Sequence, residues 1–337
     1  MALVAVIGGG QLGRMLALAG IPLGLSFRFL DPSPQAPAAA VGELLVGAYD
    51  DPDALDRLAA GAEVVTYEFE NVPVESARRV GAVPAPAALE AAQDRLVEKR
   101  LFRRLGIPTA PLDDEVTRFP ALLKTRRLGY DGKGQRLVST RAAGTVPGHV
   151  LEGLVPFDRE LSLLAVRGRD GDTRFYPLAE NVHEDGILRS SRVPAAGAPQ
   201  ALAEDYATRL FDELGYVGVL ALELFDVGGE LLANELAPRV HNTGHWTIEG
   251  AETSQFENHL RAILGLPLGS TAALGPAALV NLIGTVPPLE ALLRMSGAHV
   301  HLYGKEPRPG RKLGHVTLLE ATGERVRALA DAVAQRD

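Results

Sequence analysis

Two glycine-rich stretches carry the residue types that bind phosphate groups, and the first is VAVIGGGQLGRM (Val4 to Met15). It places Gly8, Gly10 and Gly13 in the order G-x-G-x-x-G directly after an apolar run. This order is typical of the first turn of a dinucleotide-binding fold, where amides at a helix N-terminus face an anion. Asp31 follows Gly8 by 23 residues, where an acid that binds a ribose is expected. Taken alone, the stretch favours a nicotinamide cofactor and another phosphate-bearing ligand equally. A third interpretation is that the glycines only allow close packing of the helix on the strand, without a ligand.

The second stretch is KTRRLGYDGKGQ, from Lys124 to Gln135, in which three glycines surround Lys133. Amides of a flexible glycine loop wrap phosphate oxygens, and an ammonium group neutralises charge on a transferred phosphoryl group. Only five of the 34 basic residues are lysines, so two lysines at one loop favour a need for compact charge. The P-loop pattern G-x-x-x-x-G-K-[ST] is absent. The alternative is an exposed hairpin tip, because Asp-Gly is a common turn dipeptide.

A pair of acids in LALELFDVGGELLANELAPR has the residue types of a magnesium site. Glu223 and Glu235 lie on either side of the turn at Gly228 and Gly229, each among apolar residues. Two strands joined at this turn would place both carboxylates close together on one face. Buried carboxylates repel each other unless a cation lies between them, and Mg²⁺ is bound by few carboxylates plus substrate phosphates. Two unrelated acids at exposed strand edges are the alternative.

The segment PRVHNTGHWT (Pro238 to Thr247) follows directly after the acids and is densely polar. It contains Arg239, His241, Asn242 and His245. Two histidines four residues apart bind zinc when they share a helix face, but no helical pattern supplies that geometry here. We therefore interpret the segment as substrate contacts, with a purely structural role as the alternative.

A basic turn, YGKEPRPGRKLGH (Tyr303 to His315), is the last candidate site. Its basic residues are Lys305, Arg308, Arg311, Lys312 and His315. The chain has a net charge of −8, so this local concentration of positive charge predicts an anion site such as a phosphate. A solvated turn is the alternative.

Composition limits the classes of protein to which this chain can belong. A length of 337 residues predicts two or three domains, and 46% hydrophobic residues are ordinary for a globular protein. The negative net charge argues against a general attraction to nucleic acid or anionic membranes. The absence of cysteine excludes disulfides and thiolate chemistry. With no basic N-terminal region and no long apolar run, we expect a soluble cytoplasmic protein.

The elements that must position these residues alternate between strands and helices. Predicted strands at Leu3 to Ile7, Ser26 to Asp31 and Glu63 to Glu70 alternate with helices at Gln11 to Leu18 and Asp51 to Ala60, which indicates a parallel α/β sheet. Later helices are predicted at Ala87 to Leu105, Gln200 to Gly215, Ser254 to Leu264 and Gly323 to Gln335.

The order of these motifs resembles the ATP-grasp enzymes, and within them the carboxyaminoimidazole ribonucleotide synthases of purine biosynthesis. The resemblance covers nearly the whole chain and is most specific in NVHEDGIL and HNTGHWT. It is also carried by GGGQLGRM, TYEFENVP, GYDGKGQ, GYVGVLALELF, SQFENHLRAILGLPLG and RPGRKLGH. Leu128 departs from the family pattern, which usually has a second glycine there, and Thr243 stands where serine is common.

The resemblance implies an α/β architecture of three parts. These are an N-terminal Rossmann-like (pre-ATP-grasp) parallel-sheet domain over 1–92, an ATP-grasp domain over 93–268 with a lid at about 112–158, and a small C-terminal β-rich domain over 269–337.

The resemblance also implies roles for individual residues at an ATP site. The implied ATP-binding residues are Arg95, Lys124, Gly129, Tyr130, Asp131, Gly132, Lys133, Gly134, Gln135, Glu152, Gly153, Leu154, Val155, Glu160, His183, Asn234 and Glu235. Within this set, the segment from Glu152 to Val155 would read adenine, and Glu160 would hold the ribose hydroxyls. Glu223 and Glu235 would ligate Mg²⁺.

A second implied site holds the ribonucleotide and the reacting groups. Its implied binding residues are Gln11, Leu12, Glu68, Asn242, Lys305, Arg311 and Lys312. Tyr130, Asp131 and Lys133 would face the reacting amine and bicarbonate, and Arg239 would stabilise carboxyphosphate.

The implied activity is ATP- and bicarbonate-dependent carboxylation of the exocyclic amine of 5-aminoimidazole ribonucleotide by a carbon–nitrogen ligase. The resemblance further implies a homodimer without nucleic-acid or membrane partners. A formate-dependent glycinamide ribonucleotide transformylase is the alternative within ATP-grasp chemistry. A nicotinamide-dependent dehydrogenase and a non-catalytic nucleotide-binding module are the alternatives from other classes.

Overall fold

The N-terminal part of the chain forms a four-stranded parallel sheet in the order β3-β2-β1-β4. A computed structural model describes residues 2–129, 132–144 and 146–334. The strands are β1 Leu3–Ile7, β2 Ser26–Asp31, β3 Glu43–Val46 and β4 Val64–Tyr67. The helices of this part are α1 Gln11–Gly20, α2 Pro52–Ala59, α3 Val74–Arg79 and α4 Pro86–Ala92. The predicted parallel α/β sheet is confirmed, and its carboxyl edge lies at the glycine loop.

One predicted helix, Ala87 to Leu105, is wrong because the chain forms two helices there. Helix α4 ends at Ala92, and α5 runs over Arg95–Arg104. The carboxylate of Asp94 accepts a hydrogen bond from Leu96 N at 3.0 Å and lies 2.7 Å from Arg126 Nη2. An aspartate whose oxygen caps the amides of a new helix starts that helix, which breaks the apparently continuous pattern.

A small three-stranded antiparallel sheet in the order β6-β5-β7 carries the second glycine loop. Its elements are β5 Ala121–Thr125, β6 Gln135–Val138, α6 Arg141–Gly144 and β7 His149–Gly153. Strands β5 and β6 pair from Ala121 with Val138 to Lys124 with Gln135, so the loop is the tip of a hairpin. The predicted glycine-rich hairpin is confirmed.

The remaining strands build a nine-stranded sheet in the order β13-β12-β8-β10-β11-β14-β16-β15, with β9 on β8. The strands are β8 Arg159–Arg167, β9 Thr173–Phe175, β10 Ala179–Glu184, β11 Ile187–Val193, β12 Gly218–Val227, β13 Glu230–Ala237, β14 Ala277–Ile283, β15 Ala298–Leu302 and β16 Lys312–Leu319. The helices are α7 Gln200–Leu214, α8 Thr247–Gly250, α9 Gln255–Leu264, α10 Leu289–Leu293 and α11 Gly323–Ala334. Because β14 pairs with β11, the C-terminal strands extend the sheet that holds the acid pair.

The faces of the large sheet differ in what they bury. One face packs Leu161, Leu163 and Leu222 with the side chains of α7 in a hydrophobic cluster. The opposite face carries Glu160 and Glu223. It also contributes to a second hydrophobic cluster around Trp246, which is 0% exposed. The polar end of this second face is where the candidate site lies. Among the described residues, no helix is long and apolar enough to cross a membrane.

Candidate active site

The two acids of the predicted metal site lie directly opposite each other. Glu223 on β12 pairs with Glu235 on β13, and a β-bulge follows Glu223. Burial, and secondly the charge of Glu235, raise the pKa of Glu223 to about 7. The predicted approach of the two carboxylates is therefore confirmed, and their repulsion is a reason for a cation between them.

The surroundings of the acid pair fit a magnesium ion. Arg95 Nη1 lies 3.1 Å from Glu235 Oε2, so a cationic group already approaches one carboxylate. Asn234 Oδ1 is buried without a hydrogen-bond partner, which offers a further oxygen donor. Among the described residues, no group of three or more histidine and acidic side chains is arranged to hold a metal. Two carboxylates that leave room for phosphate oxygens suit Mg²⁺ better than zinc.

Glu160 and His183 lie beside the acid pair on the same face of the sheet. Glu160 on β8 pairs with Phe225 of β12 and with Asn181 of β10. His183 Nδ1 is 2.8 Å from Glu160 Oε2. Burial lowers the pKa of His183, but Glu160 and the charge of Glu223 outweigh this effect and raise it above its usual value. The structure thus brings together the residues predicted to hold the ribose and the metal.

Lys124 and Glu152 form a buried ion pair, which a second lysine completes. Lys124 Nζ lies 2.7 Å from Glu152 Oε1, and Lys99 Nζ lies 3.5 Å from Glu152 Oε2. Lys99 and Glu152 are each only 1% exposed. Burial raises the pKa of Glu152, but the two ammonium groups outweigh burial and lower it. The Glu152 side chain, predicted within the adenine-reading segment, is thus engaged by two lysines.

Lys99 was missed by the sequence analysis. It lies on α5 in a strongly charged run, RLVEKRLFRR, where a lysine reads as a surface cation. The available signal was the scarcity of lysine in this chain, which marks each one as a candidate for a specific contact.

The amides of the N-terminal glycine loop are occupied by acids of the protein itself. Gly9 N donates to Asp31 Oδ2 at 2.9 Å, Gly13 N donates to Glu68 Oε2 at 2.6 Å, and Gly10 N donates to Glu68 Oε1. A Cβ on Gly10 would lie 2.4 Å from Glu68 Oε1, so the glycine is required for this approach. The two carboxylates take the places that a pyrophosphate would need. Asp31, which also accepts from Tyr49, therefore does not serve as the ribose acid of a dinucleotide site.

Gln11 and Leu12 keep free donors at the same helix start. Within the described part of the chain, no acceptor bonds their backbone amides, which leaves the N-terminus of α1 open to a ligand at these two residues. The Gln11 side chain accepts a hydrogen bond from Lys305 Nζ of the basic turn. This contact brings the glycine loop and the basic turn to one place.

The basic turn keeps four of its five predicted cations near the surface. Arg308 is exposed, and Lys305, Arg311 and Lys312 are half-buried. Burial, opposed by the charge of Glu68 and helped by the charges of Arg311 and Lys312, lowers the pKa of Lys305 to about 8.

The prediction that His315 contributes to this basic turn is wrong. It is 0% exposed on β16, lies 2.8 Å from the Tyr303 hydroxyl through Nδ1, and stacks on His301. Burial lowers its pKa well below the usual value, so it is a neutral core residue that adds no charge to the anion site.

The polar segment after β13 faces the acids. Arg239 Nε lies 2.5 Å from Glu70 Oε2, and His241 Nε2 lies 3.5 Å from Glu223 Oε1. Both amide atoms of Asn242 are buried without a partner, as expected of a side chain that awaits a ligand. Gln255, which was not predicted, clamps the segment by accepting from His241 N at 2.8 Å and donating to His241 O at 2.6 Å.

The second glycine loop reaches both the acid site and the turn between β10 and β11. Gly129 O accepts from Arg95 Nη2 at 3.3 Å, and a Cβ on Gly132 would lie 2.8 Å from Asp185 O. Leu128 is 73% exposed and has a φ of 63°, a left-handed conformation that suits glycine. A glycine at this position, as the resemblance implies for the family, would adopt this φ without strain. Tyr130 and Asp131, predicted to face the reacting groups, lie outside the described residues.

Three family models match consecutive parts of the chain. A ribonucleotide synthetase preATP-grasp domain matches residues 1–93, and an ATP-grasp domain matches residues 112–256. A phosphoribosylaminoimidazole carboxylase C-terminal domain matches residues 277–329.

Whole-chain relatives agree with the domain matches. The N5-carboxyaminoimidazole ribonucleotide synthase of Pseudomonas aeruginosa is 52% identical, with 98% of this chain and 99% of that protein covered. A crystal structure of the synthetase from Thermus thermophilus has a TM-score of 0.93 at 57% identity and covers 99% of both chains. The synthase of Aspergillus clavatus in complex with ADP and 5-aminoimidazole ribonucleotide has a TM-score of 0.88 at 30% identity, and the match covers 98% of both chains.

Proposed function

Because this chain belongs to the N5-carboxyaminoimidazole ribonucleotide synthase family of ATP-grasp enzymes, we propose that it carboxylates the exocyclic amine of 5-aminoimidazole ribonucleotide with ATP and bicarbonate. The products would be 5-(carboxyamino)imidazole ribonucleotide, ADP and phosphate, as in de novo purine biosynthesis. The observation that carries the proposal is the contact of Lys305 with Gln11, which joins the basic turn to the open helix start. The charge of Lys312 in the same turn acts to lower the pKa of Glu223, which supports a single cleft for the two substrate sites.

The chemistry explains why both halves of the cleft are needed. Bicarbonate is a poor electrophile, and its oxygen must first take the γ-phosphoryl group of ATP to give carboxyphosphate and ADP. The amine then attacks the carbon of carboxyphosphate, the C–O bond to phosphate breaks, and the amine proton leaves with the phosphate. Holding both substrates in one place converts this second step into an intramolecular one.

Residues of the nucleotide half would neutralise the phosphoryl group during its transfer. Mg²⁺ bound by Glu223 and Glu235 would neutralise the negative charge of the phosphate groups. Lys124 and the loop from Gly129 to Gln135 would contact the phosphates, and Glu160 would orient the ribose through its hydroxyls. The backbone from Glu152 to Val155 would contact adenine.

Residues of the other half would hold the ribonucleotide and the carboxyphosphate. Lys305, Arg311 and Lys312 would bind the 5′-phosphate, and Asn242 would bond the substrate with its two unpartnered amide atoms. Arg239 is held in place by Glu70 and would face the carboxyphosphate. The approach of Gly132 to Asp185 supports a lid that excludes water, which would otherwise hydrolyse this intermediate.

Substrate-dependent ATP turnover tests the proposal. ADP formation should be stimulated by 5-aminoimidazole ribonucleotide when bicarbonate is present, and the product should contain carbon from labelled bicarbonate. Absence of stimulation would refute the proposal. Stimulation by glycinamide ribonucleotide with formate would instead favour the transformylase.

The dehydrogenase alternative is not supported, because the acids on the glycine loop occupy the pyrophosphate position. We also propose that the enzyme is a homodimer, which light scattering after size-exclusion chromatography would test.

A further inference from the structure

We infer that Lys99 is a positioning residue for ATP, which offsets the charge of Glu152 so that the Lys124 ammonium group remains available to the phosphates. This inference rests on the proposed ATP site and concerns a residue that has no part in the proposed function. Three observations lead to it.

The first observation is the arrangement of the three charges. Each oxygen of the Glu152 carboxylate has its own lysine, with Lys124 at 2.7 Å and Lys99 at 3.5 Å. With both lysines protonated, the group carries one net positive charge. Without Lys99, the carboxylate would cancel the charge of Lys124, and the net charge beside the phosphates would be zero.

The second observation is the depth of Lys99. Its side chain is 1% exposed, and its Nζ donates to Ala233 O at 3.3 Å. A buried ammonium group without a partner is strongly unfavourable, so its position indicates a specific electrostatic contact. Burial lowers the pKa of Lys99, and the charge of Glu152 opposes this effect.

The third observation is that another acid competes only weakly with Glu152 for the ammonium group of Lys99. A second acid that acts on Lys99 is its neighbour Glu98, whose pKa is raised by burial and by the charge of Glu235. Glu98 accepts a hydrogen bond from Leu236 N at 2.6 Å. The Glu98 carboxyl group is thus engaged by the backbone of β13, and Glu152 is the acid within ion-pair distance of Lys99.

The elements that Lys99 joins are those of the ATP site. Lys99 is on α5, Glu152 is on β7, and Ala233 lies on β13 two residues before Glu235. A change at Lys99 is therefore transmitted to the phosphates through Glu152 and Lys124, although Lys99 itself is enclosed.

Three variants separate charge from packing. Lys99→Met keeps the length of the side chain and leaves a net charge of zero. Glu152→Gln leaves a net charge of two and keeps the backbone that would contact adenine. The double variant Lys99→Met/Glu152→Gln returns the group to one positive charge, as in the wild type. Arg169→Met is the control for the loss of a positive charge, because Arg169 is an exposed cation that donates to Ile263 O.

The measurement is the equilibrium dissociation constant of ADP with Mg²⁺ by titration calorimetry, with a thermal melt of each variant. Lys99→Met should weaken ADP binding about tenfold, since one unit of charge at a partly screened site has an effect of this size. The double variant should bind within about fivefold of the wild type. In turnover, Lys99→Met should raise the KM for ATP about tenfold and change kcat less than about threefold.

The outcomes are distinct. Wild-type ADP binding by Lys99→Met, or binding by the double variant more than about fivefold weaker than wild type, would overturn the inference. If Lys99→Met does not fold, the double variant decides by the same threshold. ADP binding is measured without ribonucleotide or bicarbonate, so it does not depend on the carboxylation. A wild-type protein that binds no ADP would contradict the proposed function instead.

Discussion

Raising the pH from 7 to 9 should weaken ribonucleotide binding about tenfold through one side chain, Lys305. The pKa of this lysine is lowered to about 8, mainly because its side chain is partly buried within the basic turn. Its ammonium form binds the 5′-phosphate in the proposed site, and its neutral amine does not. The protonated fraction falls from about nine-tenths at pH 7 to about one-tenth at pH 9.

The assay is kcat/KM for 5-aminoimidazole ribonucleotide at saturating ATP and bicarbonate, which reports the ionisation of the free enzyme. We expect kcat/KM to fall about tenfold over this range. Lys305→Arg should remove this fall, because a guanidinium group stays protonated throughout.

The stability of the protein should change in the opposite direction. The unfolded chain holds the Lys305 proton up to its ordinary pKa of 10.5, whereas the folded chain releases it near 8. Between these values the unfolded state binds more protons, so the contribution of Lys305 to stability rises with pH. Loss of binding therefore cannot be attributed to unfolding at this residue. A flat profile in the wild type, or the same fall in Lys305→Arg, would refute this reasoning.

Three further substitutions test other parts of the site. Glu235→Gln should reduce ADP formation at least about 100-fold by removing a metal ligand without unfolding the protein, whereas the exposed control Glu213→Gln should have no effect. Glu70→Gln should lower the free energy of unfolding in urea by about 2–4 kcal/mol, because it leaves Arg239 without its carboxylate partner. The control Glu90→Gln, in an exposed ion pair, should lower it by less than about 0.5 kcal/mol. Leu128→Gly should keep full turnover and change stability by less than about 1 kcal/mol, because relief of the left-handed φ offsets the greater entropy of an unfolded glycine. A stability loss above about 2 kcal/mol in Leu128→Gly would contradict the strain argument.

The sequence predicts those parts of the site that depend on local geometry. Strand alternation predicts the parallel sheet, and the turn at Gly228 and Gly229 predicts that Glu223 and Glu235 meet. The sequence also predicts the basic turn, because its charged residues are close together in the chain. In each case the deciding interaction spans few residues.

Interactions between distant residues were beyond the sequence argument. Glu68 bonds the amides of Gly10 and Gly13, which precede it by 58 and 55 residues. The contact of Lys99 with Glu152 likewise depends on how α5 packs on β7, and periodicity does not determine this packing. His315 was misassigned because the turn ends at Lys312, where a strand begins and carries the next residues into the core.

The acids on the N-terminal glycine loop make its shape independent of any ligand. Asp31 ends β2 and Glu68 directly follows β4, the two strands on either side of β1. Together they bind the amides of Gly9, Gly10 and Gly13. The loop therefore becomes ordered when the sheet folds, and its conformational entropy is lost at that stage. A ribonucleotide that binds at Gln11 and Leu12, as we propose, would meet a rigid surface, so little of its binding free energy would be consumed in ordering the protein.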